Sequence, residues 1–96
     1  MVKFICTKYE VLNINHISEF STSLEYYETF KIMRIGARCD QKDRFLLSLK
    51  FRNESDLDKE TLLKDFCSVL FSLDSKVVHT EDILNEIIAI HEGELE

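Results

Sequence analysis

The sequence predicts an α+β fold in which an antiparallel sheet of four to five strands is covered on one face by two C-terminal helices. Three observations predict it. Residues 1–52 alternate apolar and polar side chains with a period near two, residues after 53 change to a helical period, and the strand-like segments are grouped before the helix-like ones. Because 96 residues suffice for one core, residues 1–92 are expected to form a single domain.

The predicted strands occupy residues 2–7, 10–14 and 17–24, followed by a hairpin of residues 29–39 and 44–52 around a turn at 40–43, with a short edge strand at 77–79. In the first arm of the hairpin one face carries Met33, Ile35, Ala37 and Cys39. In the second arm one face carries Phe45, Leu47, Leu49 and Phe51, and Leu46 breaks the alternation. This pattern is typical of a sheet with one face on a core and the other in water.

The predicted helices span residues 57–73 and 81–91, because apolar residues recur there at intervals of three and four. Ser55 and Thr80 stand where N-cap residues are expected, and acidic residues follow each of them. The predicted core combines the apolar face of the second hairpin arm with the apolar faces of the two helices. It consists of Phe45, Leu47, Leu49, Phe51, Leu63, Phe66, Leu70 and Ile87.

The charges are distributed unevenly. Seven of the 12 basic residues lie within residues 31–52, and 12 of the 18 acidic residues lie within residues 53–96. Strand parity predicts a basic sheet face made of Arg34, Arg38, Arg44, Lys50 and Arg52. Such a face either covers the apolar atoms of an open sheet or binds a partner. Nucleic acid is disfavoured as that partner, because the face lacks aromatic platforms and the net charge is −6.

The second helix carries more apolar residues than one core-facing stripe needs. This indicates an oligomer surface, and hence a homodimer, formed by Ile83, Leu84, Ile87, Ile88 and Ile90. The alternative is that the helix lies in a cleft between the sheet and the first helix and buries all of them within one chain.

The sequence contains no catalytic signature, so we expect neither an enzyme nor a cofactor. Cys6, Cys39 and Cys67 lack the spacing of a disulfide framework or a zinc site. The three histidines lack ligand spacing, and we predict no metal site. No apolar run is long enough to span a membrane, and a cytoplasmic location is expected. Leu95-Glu96 is typical of a cloning junction, so residues 93–96 are taken as a tail without function.

Two functional hypotheses remain. The first is a small non-catalytic protein–protein interaction module, accessory or regulatory. The second is an acidic inhibitor that occupies a nucleic-acid-binding cleft, of the anti-restriction or anti-CRISPR type, using carboxylates on the helices. The order of elements resembles that of short proteins from Gram-positive bacteria and their phages, which leaves a phage or mobile-element origin open.

Overall fold

The computed structural model describes residues 3–55 and 57–91. The strands in these residues are β1 (Phe4–Cys6), β2 (Val11–Asn13), β3 (Ile17–Tyr26), β4 (Phe30–Cys39), β5 (Lys42–Arg52) and β6 (Val77–His79). The helices are α1 (Lys59–Ser72) and α2 (Thr80–Ile90), and one turn of 3-10 helix spans Ile14–His16. The α+β class is confirmed, while the tail assigned to residues 93–96 lies outside the described residues.

The strands form two three-stranded sheets, and the prediction of a single sheet with four to five strands was wrong. The small sheet has the order β2–β1–β6, and the large sheet has the order β3–β4–β5. β1 pairs antiparallel with β2 and parallel with β6. Alternation indicates that a segment is a strand but not which strand it pairs with. The parallel partner of β1 is β6, which follows the large sheet and α1 in the sequence, so no local pattern predicts their pairing.

The large sheet is an antiparallel meander whose last two strands are joined by a two-residue turn. The turn residues, Asp40 and Gln41, have φ angles of 52° and 67°. Positive φ at both central residues defines the type I′ turn, whose twist matches that of the strands it joins. The predicted hairpin is therefore confirmed, with a tighter turn than residues 40–43.

Leu46 forms a β-bulge that divides β5 into two parts of opposite parity. Ile35 pairs with Leu47, but the next residue, Gly36, pairs with Phe45, so Leu46 has no partner in β4. One unpaired residue reverses the side to which all earlier residues of the strand point. The predicted core position of Phe45 is wrong for this reason: its side chain lies on the solvent face and is 51% exposed.

The core lies between the helices and the inner faces of both sheets. The predicted core residues that are buried there are Leu47, Leu49, Phe51, Phe66, Leu70 and Ile87, and Leu63 is half-buried. The small sheet contributes Ile5, Leu12 and Val78. In the large sheet, Phe20 of β3 packs its ring 5.4 Å from that of Phe66.

Helix α1 is held at both ends. At its start the carboxylate of Asp58 accepts a hydrogen bond from the backbone N–H of Thr61 at 2.8 Å. At its end the ammonium of Lys3 donates to the carbonyl oxygens of Leu70 at 2.9 Å and Leu73 at 2.7 Å. A carboxylate at the N-terminus and a cation at the C-terminus both complement the helix dipole.

The helix caps differ from the predicted ones. Ser55 accepts a bond from the N–H of Leu57 in the preceding loop, and Asp58 caps α1 instead. Helix α2 begins at Thr80 and its N-cap is His79, without a side-chain capping bond. The predicted cap at Thr80 is therefore wrong, because β6 runs directly into the helix and its last residue supplies the extended backbone of the cap.

The two helices pack against different strands. Helix α1 contacts β3 and α2, whereas α2 contacts β5 and β6. Near the end of α2, His91 is hydrogen-bonded to Asp65 of α1, which fixes one helix relative to the other. Within residues 3–55 and 57–91, neither helix is long and apolar enough to cross a bilayer.

Candidate functional site

A groove of about 480 Å³ lies where the outer edge of β5 meets the C-terminal end of β1 and the beginning of α2. It is lined by residues 6–8, residues 45–48 and residues 79–81, together with Leu84. We call it the edge groove. Both sheets and one helix contribute to it, so the groove exists only because β6 brings the small sheet next to α2.

The backbone of β5 forms one wall of the edge groove. Successive side chains of a strand point to opposite faces, so four consecutive residues can line one groove only along the edge of the strand. β5 is hydrogen-bonded to β4 on its other side. In the part of the chain that the structure describes, residues 45–48 make no backbone hydrogen bonds outside that ladder. The groove therefore presents an open strand edge.

The apolar part of the groove is formed by Phe45 and Leu84. The bulge at Leu46 places Phe45 on the solvent side, and Leu84 is half-buried on the groove side of α2. One turn further along α2, Ile88 is 41% exposed. Sequence reasoning missed Phe45 as a surface residue, although the break in alternation at Leu46 was the signal that could have identified it.

The polar part of the groove contains the thiol of Cys6, the imidazole of His79, three hydroxyls and the charged side chains of Lys8 and Glu81. Cys6 and His79 are neighbours in the parallel pairing of β1 with β6. The thiol of Cys6 donates to the carbonyl of Thr7 at 3.7 Å. Thr80 is 9% exposed and lines the groove at the start of α2. The thiol, the imidazole and this hydroxyl are all able to form hydrogen bonds.

Four residues of the predicted basic sheet face share the solvent side of the large sheet, and the fifth does not. Arg34, Arg38, Lys50 and Arg52 lie on that side. Arg44 lies opposite the buried Ala37 on the core side, where its guanidinium is 3.1 Å from the carboxylate of Glu10. Its predicted place on the basic face is wrong because of the same bulge that displaces Phe45.

Carboxylates of neighbouring strands partly neutralise the basic sheet face. Arg34 lies 2.8 Å from Glu25 of β3, and Arg38 lies 3.4 Å from Asp43 of β5. A hydrogen bond from Tyr27, followed by the contact with Arg34, lowers the pKa of Glu25, and the pKa of Arg34 is raised by Glu25 in turn. The sequence did not reveal these pairs, because they depend on the register between strands.

Two lysines beside the edge groove have no carboxylate partner within 4.0 Å among the described residues. Lys8 lines the groove, and its ammonium lies 5.7 Å from the centre of the Tyr9 ring. Lys50, two residues beyond the groove-lining part of β5, lies 4.3 Å from the centre of the Phe30 ring. Both are exposed. Cation–π contacts of this kind leave the ammonium able to bind an anion.

The predicted oligomer surface is divided by the structure. Ile83 and Ile87 are fully buried in the core and cannot contact another molecule. Leu84 is half-buried, while Ile88 and Ile90 are 41% and 56% exposed. The alternative, in which all these residues are buried within one chain, therefore holds for the first pair only.

A second depression, of about 510 Å³, lies between the end of α1 and the outer side of α2. Its lining includes three carboxylates, those of Asp74, Asp82 and Glu86. All three are exposed. Three of the acidic residues of the helical half therefore border one depression.

The remaining reactive groups are dispersed. Burial raises the pKa of the Cys39 thiol and that of the Cys67 thiol, which disfavours the nucleophilic thiolate form of both. Within residues 3–55 and 57–91, no group of three or more histidine, cysteine or acidic side chains is placed to hold a metal ion. Comparisons of the chain with protein-family models, with curated proteins and with solved structures gave no match.

Proposed function

We propose that the protein is a small, non-catalytic protein–protein interaction module with an accessory or regulatory role, and that the edge groove is its contact site. The observation that supports this proposal is the open edge of β5 beside the half-exposed ring of Phe45. An open edge offers unpaired backbone donors and acceptors, and a neighbouring exposed aromatic ring is typical of protein contact sites.

The test is cross-linking from a defined position. A photo-reactive phenylalanine analogue at position 45 is expected to cross-link one protein from the lysate of the source cells at fixed stoichiometry. The same analogue at position 26 is the matched control, because Tyr26 is an exposed aromatic residue that does not line the edge groove. The reconstituted complex should be lost on Phe45→Asp and kept on Tyr26→Asp, with both variants checked for folding by thermal melts.

Two results would contradict the proposal. One is a complex that forms equally well with Phe45→Asp and with Tyr26→Asp, because its contact site would then lie elsewhere. The other is catalytic turnover of a small molecule by the purified protein.

A second candidate function is the acidic inhibitor of a nucleic-acid-binding protein. The observation that favours it is the depression lined by Asp74, Asp82 and Glu86, since closely placed carboxylates can replace phosphates in a basic cleft. In this case the charge reversals Asp82→Lys and Glu86→Lys should abolish the complex while Phe45→Asp leaves it intact. The affinity should also fall steeply with added salt.

Self-association is a separate proposal, in which Leu84, Ile88 and Ile90 meet the same residues of a second copy. Sedimentation over a range of protein concentrations tests it. Ile88→Glu is expected to abolish any dimer without unfolding the chain, because the side chain is already 41% exposed. A monomer at high micromolar concentration would contradict it.

A further inference from the structure

The bulge at Leu46 divides the edge of β5 into two regularly paired parts, of which the part from Leu47 to Arg52 is the longer. Strand pairing with a new chain requires uninterrupted alternation of backbone groups, and the bulge at Leu46 disrupts it locally. From Leu47 to Arg52 the pairing with β4 proceeds without a break. This part of the edge begins in the groove and is open as far as Phe51, because the carbonyl of Arg52 already accepts a hydrogen bond from the backbone N–H of Ser55. It is long enough for a short added strand.

The side chains next to this edge define the chemistry of an added strand. On the solvent face the neighbours are Ser48 and Lys50, while Lys8 and the carboxylate of Glu81 stand at the groove wall. On the opposite face the neighbour is the half-buried Leu84 of α2. A strand paired with β5 would therefore place alternate residues beside ammonium groups and the residues between them beside an apolar helix side chain.

We propose that the edge groove binds an extended acidic segment of a partner protein, in which acidic residues alternate with apolar ones, as a fourth strand on the edge of β5. This rests on the proposed function and names its partner chemistry. The acidic residues contact Lys50 and Lys8 on the solvent face, where Phe45 also lies, and the apolar residues contact Leu84 on the opposite face. Strand addition of this kind obtains affinity from backbone hydrogen bonds and specificity from alternate side chains.

A second copy of this chain is a poor occupant of the same edge. β5 carries four basic residues against Asp43. Pairing of two β5 strands, parallel or antiparallel, would bring these like charges together, and like charges on opposed strands destabilise the pair. The bulge further limits self-pairing of the edge.

The experiment uses two synthetic peptides and the full chain. One is a fluorescein-labelled six-residue peptide of alternating glutamate and valine, and the other replaces each glutamate with lysine. Anisotropy in about 0.15 M salt, where screening acts beyond about 8 Å, measures affinity, and amide chemical shifts locate binding. We expect only the glutamate peptide to bind, with shifts along residues 45–52.

Charge reversals separate specific from general attraction. Lys50→Glu and Lys8→Glu are each expected to raise the Kd of the glutamate peptide by about ten-fold. Lys76→Glu, an exposed lysine outside the groove, is the matched control and should leave the Kd unchanged. Thermal melts establish that all three variants are folded.

Several outcomes would overturn the inference. Equal binding of both peptides, or shifts confined to other surfaces, would show that β5 does not accept an acidic strand. Shifts along β5 that grow with protein concentration without peptide would identify a second copy as the occupant. If a partner cross-links at position 45 but is insensitive to Lys50→Glu and Lys8→Glu, strand addition fails while the proposed function stands. If the peptide binds along β5 but no partner cross-links at position 45, strand addition is supported and the proposed function fails.

Discussion

Phe45 lies directly opposite Gly36 in the pairing of β4 with β5, on the solvent face of the large sheet. The backbone carbonyl oxygen of Arg44 lies 3.0 Å from the place that a β-carbon on residue 36 would occupy. The glycine thus makes room for the backbone of the bulge, and the aromatic ring stands beside the gap that the glycine leaves, an arrangement known to support glycine in strands.

Gly36→Ala should destabilise the protein. The added methyl group meets a backbone carbonyl that cannot move without disturbing the bulge, at a cost of about 1–3 kcal/mol. Replacing glycine in a strand recovers about 0.5–1 kcal/mol, so a net loss near 1 kcal/mol is expected in urea unfolding. Ser23→Ala on the same face is the control, with little change. A Gly36→Ala variant as stable as the wild type would show that the bulge tolerates the methyl group.

Phe51→Ala and Phe45→Ala should differ strongly in their effect on stability. Phe51 is fully buried, and its truncation should cost about 3–5 kcal/mol. Phe45 is 51% exposed, and its truncation should cost about 1 kcal/mol or less. Chemical denaturation of the two variants measures this difference directly. Equal losses of unfolding free energy in the two variants would show that Phe45 is buried in the core, and would contradict the bulge at Leu46.

Gln41→Gly should stabilise the hairpin. Gln41 has a φ of 67°, and the left-handed conformation costs a residue with a β-carbon roughly 1–2 kcal/mol. Glycine removes that cost, but it also increases the conformational entropy of the unfolded chain, which opposes folding. The net stabilisation expected is about 0.5–1 kcal/mol. A rise in Tm is the expected result, and Lys42→Gly, inside the strand, should lower it. A fall in Tm for both variants would contradict the type I′ turn.

Lys3→Met should weaken the anchoring of α1. Methionine keeps an unbranched apolar chain but removes the hydrogen bonds to the carbonyls of Leu70 and Leu73. A loss of about 1–2 kcal/mol is expected. Lys8→Met, at an exposed lysine of the same segment, is the matched control and should have little effect on unfolding. If both variants melt at the wild-type temperature, the ammonium of Lys3 does not hold the helix end.

Asp58 should make part of the stability depend on pH. The backbone hydrogen bond from Thr61 lowers its pKa in the folded state below the ordinary aspartate value of 3.8. Its contribution is therefore complete above pH 3.8 and is lost as the pH falls through the lower, folded-state pKa. Asp58→Asn keeps an acceptor but removes the titration. The Tm advantage of the wild type over this variant should be present at pH 7 and shrink in acid, and a constant difference would contradict the assignment.

The sequence was sufficient for what depends on local pattern. The positions of the longer strands and of the helices follow from the period of apolar residues, and the hairpin follows from the polar residues around Asp40. The short strand at residues 77–79 was also predicted. The division into two sheets could not be predicted, because it depends on the parallel pairing of β1 with β6. The predicted faces of Phe45 and Arg44 were also wrong. Both errors have one cause, the unpaired Leu46, which reverses the face of the sheet to which the preceding residues of β5 point.

The candidate site was predicted less well than the fold, because it depends on contacts between distant segments and on the register of β5. Its walls come from residues 6–8, 45–48 and 79–81, which are far apart in sequence and individually ordinary. Four of the five predicted basic residues share the solvent face, and Arg44 does not. The carboxylates that neutralise Arg34 and Arg38 lie on neighbouring strands, so the register between strands had to be known to identify them. Within the groove lining, the break in alternation at Leu46 was the local sign that β5 departs from a regular strand there.

The parallel pairing of β1 with β6 has a consequence for how the chain reaches its structure. The meander of β3, β4 and β5 joins neighbours in sequence and can form while the chain is still being synthesised. β1 and Lys3 must wait for partners that are synthesised much later, at residues 70–79, and closing so long a loop is slow relative to forming a hairpin. The edge groove needs β1, β5 and α2 together, so we expect it to form after the meander and late in folding.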